Sequence, residues 1–512
     1  MKKKYPALDG LIFPLSIYLI GLLLLAIGNN FSADNEVPAL ILEAFRYGGN
    51  LFVQAFPLLM IIGIIGNRHQ SSVPTAAGIL CFFIFYLINM FFSSQDYNSC
   101  YYFEGFGLSI NIADVLGGRE RTYLPVNGGL LISWFIIFNV SRAYRKSRER
   151  MNYGLLNFIN NDTIFFISVI AETVLAAIGY AYGFRYIVNG IDSILKKIST
   201  NRTDPLYMFF YGIVERILEI LGFGKVTREN FWFGSLGGNY LDNSGATFLG
   251  DVNIWTIMLQ SDTVLRGAGR FIAAYYPLNC LIVPAMIITL LFQGNNKIEK
   301  QKIFGVGIVA IVASLFSSSL LPLELLLAVI APMLLVMHIL LSGALYGVLE
   351  QYHVYLGYSF NGNHDYAYPG SINELIYYLR KLDFNAAVIR ILIIGAAFAV
   401  VYVIITLVYY RFLSFSFTSR KKQFLEKKEI ISCFGGVRNL RFVKSSINSL
   451  QIGVFNEEKV DTQRLLSETG TIKVTESAYG YNIEYGPGAS ILCRLISREL
   501  KSFEAIEKYF AQ

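Results

Sequence analysis

A helical membrane domain of about ten spans, followed by a small α+β domain, is the fold class this sequence predicts. Three observations carry the prediction. Hydrophobic residues make up 54% of the 512 and charged residues only 15%, where a soluble domain carries nearer a quarter charged. Mean hydropathy is +0.48, so lipid is the main solvent for most of the chain. The composition then changes after Phe417, beyond which no apolar run of membrane length occurs.

The first apolar stretch covers 11–28, after Lys2, Lys3 and Lys4. No small-residue cleavage site follows it and further apolar stretches do, so it reads as a retained span. Further spans are expected near 51–66, 74–93, 126–140, 163–184, 206–222, 271–293, 303–320, 325–349 and 386–412. Several approach the ~20 residues a helix needs to cross the hydrocarbon. Those at 51–66, 126–140 and 206–222 are short, which suits a tilted, broken or interfacial helix.

Basic runs flank the spans and set the expected orientation. The N-terminal lysines, the 142–150 run (Arg142, Arg145, Lys146, Arg148, Arg150) and the 420–428 run (Arg420, Lys421, Lys422, Lys427, Lys428) belong on the cytoplasmic side. Four spans separate the first two runs, and an even number returns the chain to the same side. The expectation is a multi-pass membrane protein with its C-terminal domain in the cytoplasm. The net charge of +7 is spent on these runs and does not point to nucleic acid.

The soluble part alternates cleanly. It reads as helix (425–433), Gly435-Gly436, strand (438–445), strand (449–455), helix (461–467), strand (471–475), strand (481–485) and helix (490–507). The domains are therefore 1–417 in the membrane, a basic linker over 418–423, and 424–512 in the cytoplasm. The two glycines mark a turn after the first helix. Cys81, Cys100, Cys280, Cys433 and Cys493 are scattered, with no CxxC pair and no His/Cys cluster at metal-ligand spacing. No metal and no cofactor are expected.

Several fragments, taken in order, are similar to one family. Asn50-Leu51-Phe52 through Phe56-Pro57-Leu58-Leu59-Met60 resembles an "LPLLFAIG" span. Gly267-Ala268-Gly269-Arg270-Phe271, then Tyr276-Pro277 and Val283-Pro284-Ala285, resembles "GRF…FP…LPAA". Pro322-Leu323-Glu324, then Ala331-Pro332 and His338, resembles "PIEF…AP…H", and Leu356-Gly357-Tyr358-Ser359-Phe360 resembles "LGFSFS". In the soluble part, Gly435-Gly436 with Asn439-Leu440 resembles "GGxxNI" and Tyr485-Gly486-Pro487 resembles "FGP". Collinear over most of the chain, these fragments resemble the glucose-type enzyme II permeases of the bacterial phosphotransferase system. In those proteins a membrane IIC domain is joined to a soluble IIB domain. The resemblance implies a sugar or glycan ligand, a homodimer formed through the membrane part, and phosphoryl transfer to sugar from a IIB cysteine.

The residues that carry that chemistry are replaced. The family's phosphocysteine motif "DxCxTRLR" corresponds to residues 443–451, where Ser446 takes the cysteine's place and Ser449 and Gln451 take those of the arginines. A thiolate is nucleophilic near neutral pH, whereas a serine hydroxyl needs an adjacent base. No His, Asp or Glu lies in 443–451. Arginine also gives phosphate paired charge-assisted hydrogen bonds, which Ser449 and Gln451 do not. Cys433 is the alternative carrier, a dozen residues early on the preceding helix. In the membrane part, the family's "GITEP" glutamate corresponds to Leu321, its "GLHH" histidines to Gly224-Lys225, and its "FGGKR" loop to Ile159-Asn160-Asn161-Asp162-Thr163.

Four residues remain as candidates for the ligand. Glu324 is an ionisable group within a span, which by default marks function; the plainer reading is a structural hydrogen bond. His338 sits in an apolar helix, where a helix-packing hydrogen bond is the competing role. Lys225 either reaches a ligand or snorkels to the interface. Arg270, between glycines, marks a helix end near a cavity or is a plain interfacial cation. Three functions stay open. One is a diverged permease that binds sugar or glycan without phosphorylating it, acting as facilitator, sensor or partner of another membrane protein. The others are a working permease with displaced residues or a IIB domain in trans, and a membrane scaffold without a small ligand.

Overall fold

In the computed structural model the described residues are 6–30, 36–113, 120–149, 161–242, 245–261, 267–293, 297–358, 368–413, 420–445, 449–468, 471, 473–477, 480–485 and 489–510. The chain divides into two compact units. One comprises Pro6–Ile288 and Phe304–Tyr402; the other takes Val403–Gln512 together with Thr289–Ile303.

The larger unit is helical. In chain order it holds α1 (Pro6–Asn30), α2 (Glu36–Gln54), α3 (Phe56–His69), α4 (Ser72–Phe92), the hairpin β1 (Ile110–Ala113) and β2 (Glu120–Tyr123), α5 (Gly129–Glu149) and α6 (Asn161–Thr200). Next come α7 (Pro205–Leu221), α8 (Gly224–Thr227), the hairpin β3 (Asn239–Leu241) and β4 (Thr247–Leu249), and α9 (Asp251–Ser261). α10 (Tyr275–Pro277) runs through a π-type turn into α11 (Val283–Gln293). α12 (Lys297–Ser317), α13 (Leu321–Ile330), α14 (Pro332–Gln351), α15 (Ile372–Arg380) and α16 (Asn385–Leu413) follow.

Among the described residues six helices are long and apolar enough to cross a membrane, or up to seven when a bent pair counts as one span, so about ten spans are not confirmed. The stretch at 51–66 belongs to that pair, Val37–Gln54 and Phe56–His69, which bends by 48°. Ile303–Ser317 and Leu321–Ile330 are apolar but short. At ~1.5 Å per residue neither covers the ~30 Å hydrocarbon core. The run expected at 325–349 is divided before Pro332, leaving Pro332–Gln351 as the span. The runs at 126–140 and 206–222 form α5, which ends in a basic tail, and α7, which carries Glu215, Arg216 and Glu219.

Two local features place the site. α7 starts at the cap Asp204, whose carboxylate accepts from the Leu206 N–H at 2.8 Å, with Pro205 as its first residue. It packs closely against α14 because small residues face each other. A Cβ on Gly212 would come within 2.9 Å of the Gly343 Cα, and one on Gly343 within 2.7 Å of the Phe209 carbonyl. Gly343 and Gly347 are spaced as in the small-xxx-small pattern of membrane helix pairs. Between α12 and α13 the helix is broken at Ser318, which takes φ = 53°, a conformation rare for a residue with a side chain.

The smaller unit contains a four-stranded antiparallel sheet in the order β5-β6-β8-β7: β5 (Leu440–Ser445), β6 (Ser449–Val454), β7 (Lys473–Ser477) and β8 (Gly480–Glu484). With it are α17 (Arg420–Cys433), α18 (Thr462–Glu468) and α19 (Ala489–Phe510). Leu450 and Ile452 on β6 and Ile483 on β8 share a core with Ile430, Phe434, Leu465, Leu492 and Ile496. The period of two on the strands and of three to four on α19 puts these residues on one face each. Gly435 and Gly436 take φ of 79° and 90°, as the expected turn requires. Asn439 then staples the turn: its amide donates to the Phe434 and Asn456 carbonyls at 2.8 and 2.7 Å, and its carbonyl oxygen accepts from the Asn456 N–H at 2.8 Å.

Candidate functional site: a polar cavity backed by buried charge

The broken helix and α7 face one another across a cavity of about 130 Å³. Its wall combines aromatic faces (Tyr18, Trp232, Tyr275, Tyr368), three successive serines (Ser317, Ser318, Ser319), Leu320, Leu321 and the charged groups Arg216, Glu219 and Arg228. Tyr18 and Ser319 are hydrogen-bonded at 3.2 Å. The hydroxyls of Ser317 and Ser318 are buried and find no partner among the described residues. An unmet buried hydroxyl costs about 1–3 kcal/mol, so a polar ligand has two groups to satisfy here. Arg228 begins a π-type turn, Arg228–Trp232, a distortion common at functional sites.

The charges on the wall are paired. Arg228 donates to Glu219 at 2.5 Å. Arg216 forks onto Glu215, with Nε to Oε2 at 2.7 Å and Nη2 to Oε1 at 2.5 Å. It also donates to the Tyr275 hydroxyl at 2.9 Å and, through Nη1, to Glu324 Oε1 at 3.3 Å. The Tyr275 hydroxyl in turn donates to Glu215. Glu324 Oε1 lies 3.4 Å from His338 Nε2, and the Tyr402 hydroxyl lies 3.0 Å from His338 Nδ1. Arg216 is 2% exposed, Glu215 1%, and Glu324 and His338 0%. Buried charges persist only when paired and hydrogen-bonded; each residue here has at least one polar contact, while Glu324 Oε2 and His338 Nε2 find no hydrogen-bond partner among the described residues.

Two of the four candidates therefore meet each other. Glu324 and His338 form one chain behind the cavity wall, reached through Arg216, and the wall itself carries Leu321. Lys225 stands apart, paired with Glu104 at 3.0 Å and partly exposed. Arg270 serves the loop before α10. It donates to the carbonyls of Arg202 at 2.7 Å and Gly267 at 2.9 Å, lies 3.5 Å from Glu350 and packs over the Tyr355 ring. Asp251 clamps the same loop by accepting from the N–H groups of Gly269 at 2.8 Å and Phe271 at 3.2 Å. Burial pushes the Asp251 carboxyl up to about 7, against the pull of those donors and of Arg270 and Arg202.

Sequence reasoning passed over Glu215, Arg216, Glu219 and Arg228. The signal was present: adjacent Glu215 and Arg216 interrupt an apolar run, and an intramembrane ionisable pair marks function by default. In the small domain, Ser446 lies outside the described residues, as do Gly486, Pro487, Ser359, Phe360, Ile159 and Asn160. Its neighbours are described. Ser449 stands opposite Glu484, and Gln451 stands between Lys444 and Asn482. Cys433 is 1% exposed and belongs to the domain core, which is no place for a thiol that must meet a partner protein. Among the described residues no group of three or more His, Cys, Asp or Glu is placed to hold a metal.

Comparison with known proteins gives a consistent kinship. The chain is 26% identical over 334 residues to the PTS system glucoside-specific EIICBA component of Staphylococcus carnosus (strain TM300), an alignment covering 63% of this chain and 46% of that protein. It is 23% identical over 504 residues to the glucose-specific EIICBA component of the same organism, covering 93% of this chain and 70% of that protein. The chain thus spans about half the length of the first relative and about two thirds of the second. No family model matches. Among solved structures, the crystal structure of the transporter ChbC, the IIC component from the N,N'-diacetylchitobiose-specific phosphotransferase system, aligns with a TM-score of 0.33 at 12% identity, over 79% of this chain and 93% of that one.

Proposed function

We propose that this chain, which belongs to the glucose-type enzyme II permeases of the phosphotransferase system, is an integral membrane protein that binds a neutral sugar or glycan and does not itself phosphorylate it. The observation that carries the second half is the replacement in 443–451 of the phosphocysteine by Ser446 and of both arginines by Ser449 and Gln451. Serine there has no base in the stretch to activate it. Ser449 faces the carboxylate of Glu484 across the ladder, which disfavours a doubly charged phosphoryl group.

The cavity supports the first half. Aromatic faces suit the apolar faces of a sugar ring, and the Ser317 and Ser318 hydroxyls offer donors and acceptors to its hydroxyl groups. Arg216 and Arg228 are each occupied by a carboxylate, so the wall presents no open cation for an anionic sugar. In this reading Glu324 and His338 act behind the wall, and Lys225 and Arg270 hold local structure. We place the N-terminus, the 142–150 run and the domain at 424–512 on the cytoplasmic side, and the membrane part in a homodimer. The test of binding is equilibrium dialysis of radiolabelled D-glucose and of a β-glucoside against the purified full chain. Saturable binding that is weakened at least ~10-fold by Ser317→Val with Ser318→Val is expected. Absence of binding to both sugars would overturn the ligand reading in favour of a scaffold.

A further inference from the structure

A permease that has lost phosphoryl transfer has also lost the reaction that makes uptake one-way. The charge count behind the cavity suggests a replacement. Two guanidinium groups, Arg216 and Arg228, face three carboxylates, Glu215, Glu219 and Glu324. Arg228 is matched by Glu219, and Arg216 is held two-pronged by Glu215. Glu324 is the unmatched carboxylate. Its Oε2 has no hydrogen-bond partner among the described residues, and it is fully buried. A lone negative charge at such a depth is costly; its other oxygen lies 3.3 Å from Arg216 Nη1 and 3.4 Å from His338 Nε2, a ring nitrogen that also has no hydrogen-bond partner among the described residues.

We propose that Glu324 and His338 share one exchangeable proton, and that this proton is linked through Arg216 to occupancy of the cavity, so that ligand movement is coupled to proton movement. The shared proton makes the cluster neutral. Other polar groups near the pair are Tyr18 from α1, Glu215 and Arg216 from α7, Tyr275 from α10 and Tyr402 from α16; Tyr402 extends the chain to the Ser342 hydroxyl at 3.4 Å. Buried Glu/His chains of this kind serve as proton relays in transporters. No bond other than those to the proton is made or broken.

Arg216 supplies the linkage because it stands in both places, on the cavity wall and against Glu324 Oε1. With the pair deprotonated, Glu324 holds Nη1. With the proton bound, the carboxylate's charge is cancelled and Nη1 is released to a ligand hydroxyl. Ligand therefore binds more tightly at low pH, and by reciprocity ligand binding draws a proton in. The coupling rests on the sugar-binding reading; the proton site does not.

Two measurements on the full chain in lipid vesicles separate them. Infrared difference spectra between acid and alkaline pH, without ligand, are expected to show one titrating carboxyl band that is lost in Glu324→Gln and shifted in His338→Gln. Spectra in which Glu324→Gln matches the wild type would overturn the proton site. Vesicles with a trapped pH-sensitive dye, given an inward D-glucose gradient, are expected to acidify inside. Glucose affinity is expected to rise roughly tenfold from pH 8 to pH 5. Glu324→Gln should bind glucose with no pH dependence. Glucose movement with no proton movement would overturn the coupling while leaving the sugar reading intact. Absence of glucose binding together with a titrating band would overturn the sugar reading and the coupling and support the proton site alone.

Discussion

Arg216 is the residue on which the membrane site turns. It pairs with both Glu215 and Glu324, and its Cζ lies 5.2 Å from the centre of the Tyr275 ring. Removing one partner of a buried pair leaves the rest uncompensated, at a typical cost of about 3–5 kcal/mol. Arg216→Ala is therefore expected to lower the thermal unfolding midpoint in detergent sharply and to abolish glucose binding. Arg270→Ala, which loses carbonyl and ring contacts outside the cavity, is expected to cost stability while leaving measurable glucose binding in the protein that remains folded. An Arg216→Ala protein as stable as the wild type would contradict the charge network. The sequence displayed Glu215 and Arg216 openly, yet only a structure brings Glu324 and His338, more than a hundred positions later, to the same guanidinium. Contacts at that separation carry no local pattern, whereas Lys225 looked equally promising and pairs with Glu104 instead.

At the scale of elements, the order of helices and strands in the small domain was legible to within a few residues, although α17 begins at Arg420 inside the expected linker, and the membrane part was not. Strands of period two, helices of period near 3.6 and the Gly435-Gly436 turn each leave their own mark, and β5 to α19 follow the expected order. In the membrane part nearly every position is apolar, so periodicity is silent about where a helix breaks. The break at Ser318, the bend at Ala55 and the division before Pro332 come from packing and backbone geometry, and among the described residues six or seven candidate spans stand against about ten expected. The α7–α14 crossing was carried by Gly212, Gly343 and Gly347, small residues that hydropathy does not distinguish. Gly343→Leu should separate the two helices, because its Cβ alone would meet the Phe209 carbonyl at 2.7 Å. Loss of folded protein by size-exclusion chromatography is expected. Gly183→Leu on α6, where a Cβ meets nothing within 4 Å, is the control expected to behave as wild type. Equal behaviour of the two variants would mean that the crossing is misplaced.

At the scale of the whole molecule, a membrane part with a polar cavity is joined to a small domain that we propose no longer carries a phosphoryl group. The proposed orientation rests on the basic runs. In a cysteine-free background, a single cysteine at position 146 should resist an impermeant thiol reagent added to whole cells and react once the membrane is opened; labelling from outside would invert the topology. The central claim is that sugar is bound without being phosphorylated, and one measurement reaches it most directly. The purified full chain is incubated with radiolabelled phosphoenolpyruvate and the general phosphotransferase carriers, and peptides covering 430–455 are examined by mass spectrometry, before and after addition of D-glucose. The account predicts no label on any residue of that segment and no glucose phosphate, because Ser446 has neither a thiolate's nucleophilicity nor an arginine pair to steady the group. Ser446→Cys alone is predicted to remain unlabelled for the second reason. Stoichiometric label on Ser446 or Cys433 that is discharged onto added glucose would contradict the account and make the chain a working permease.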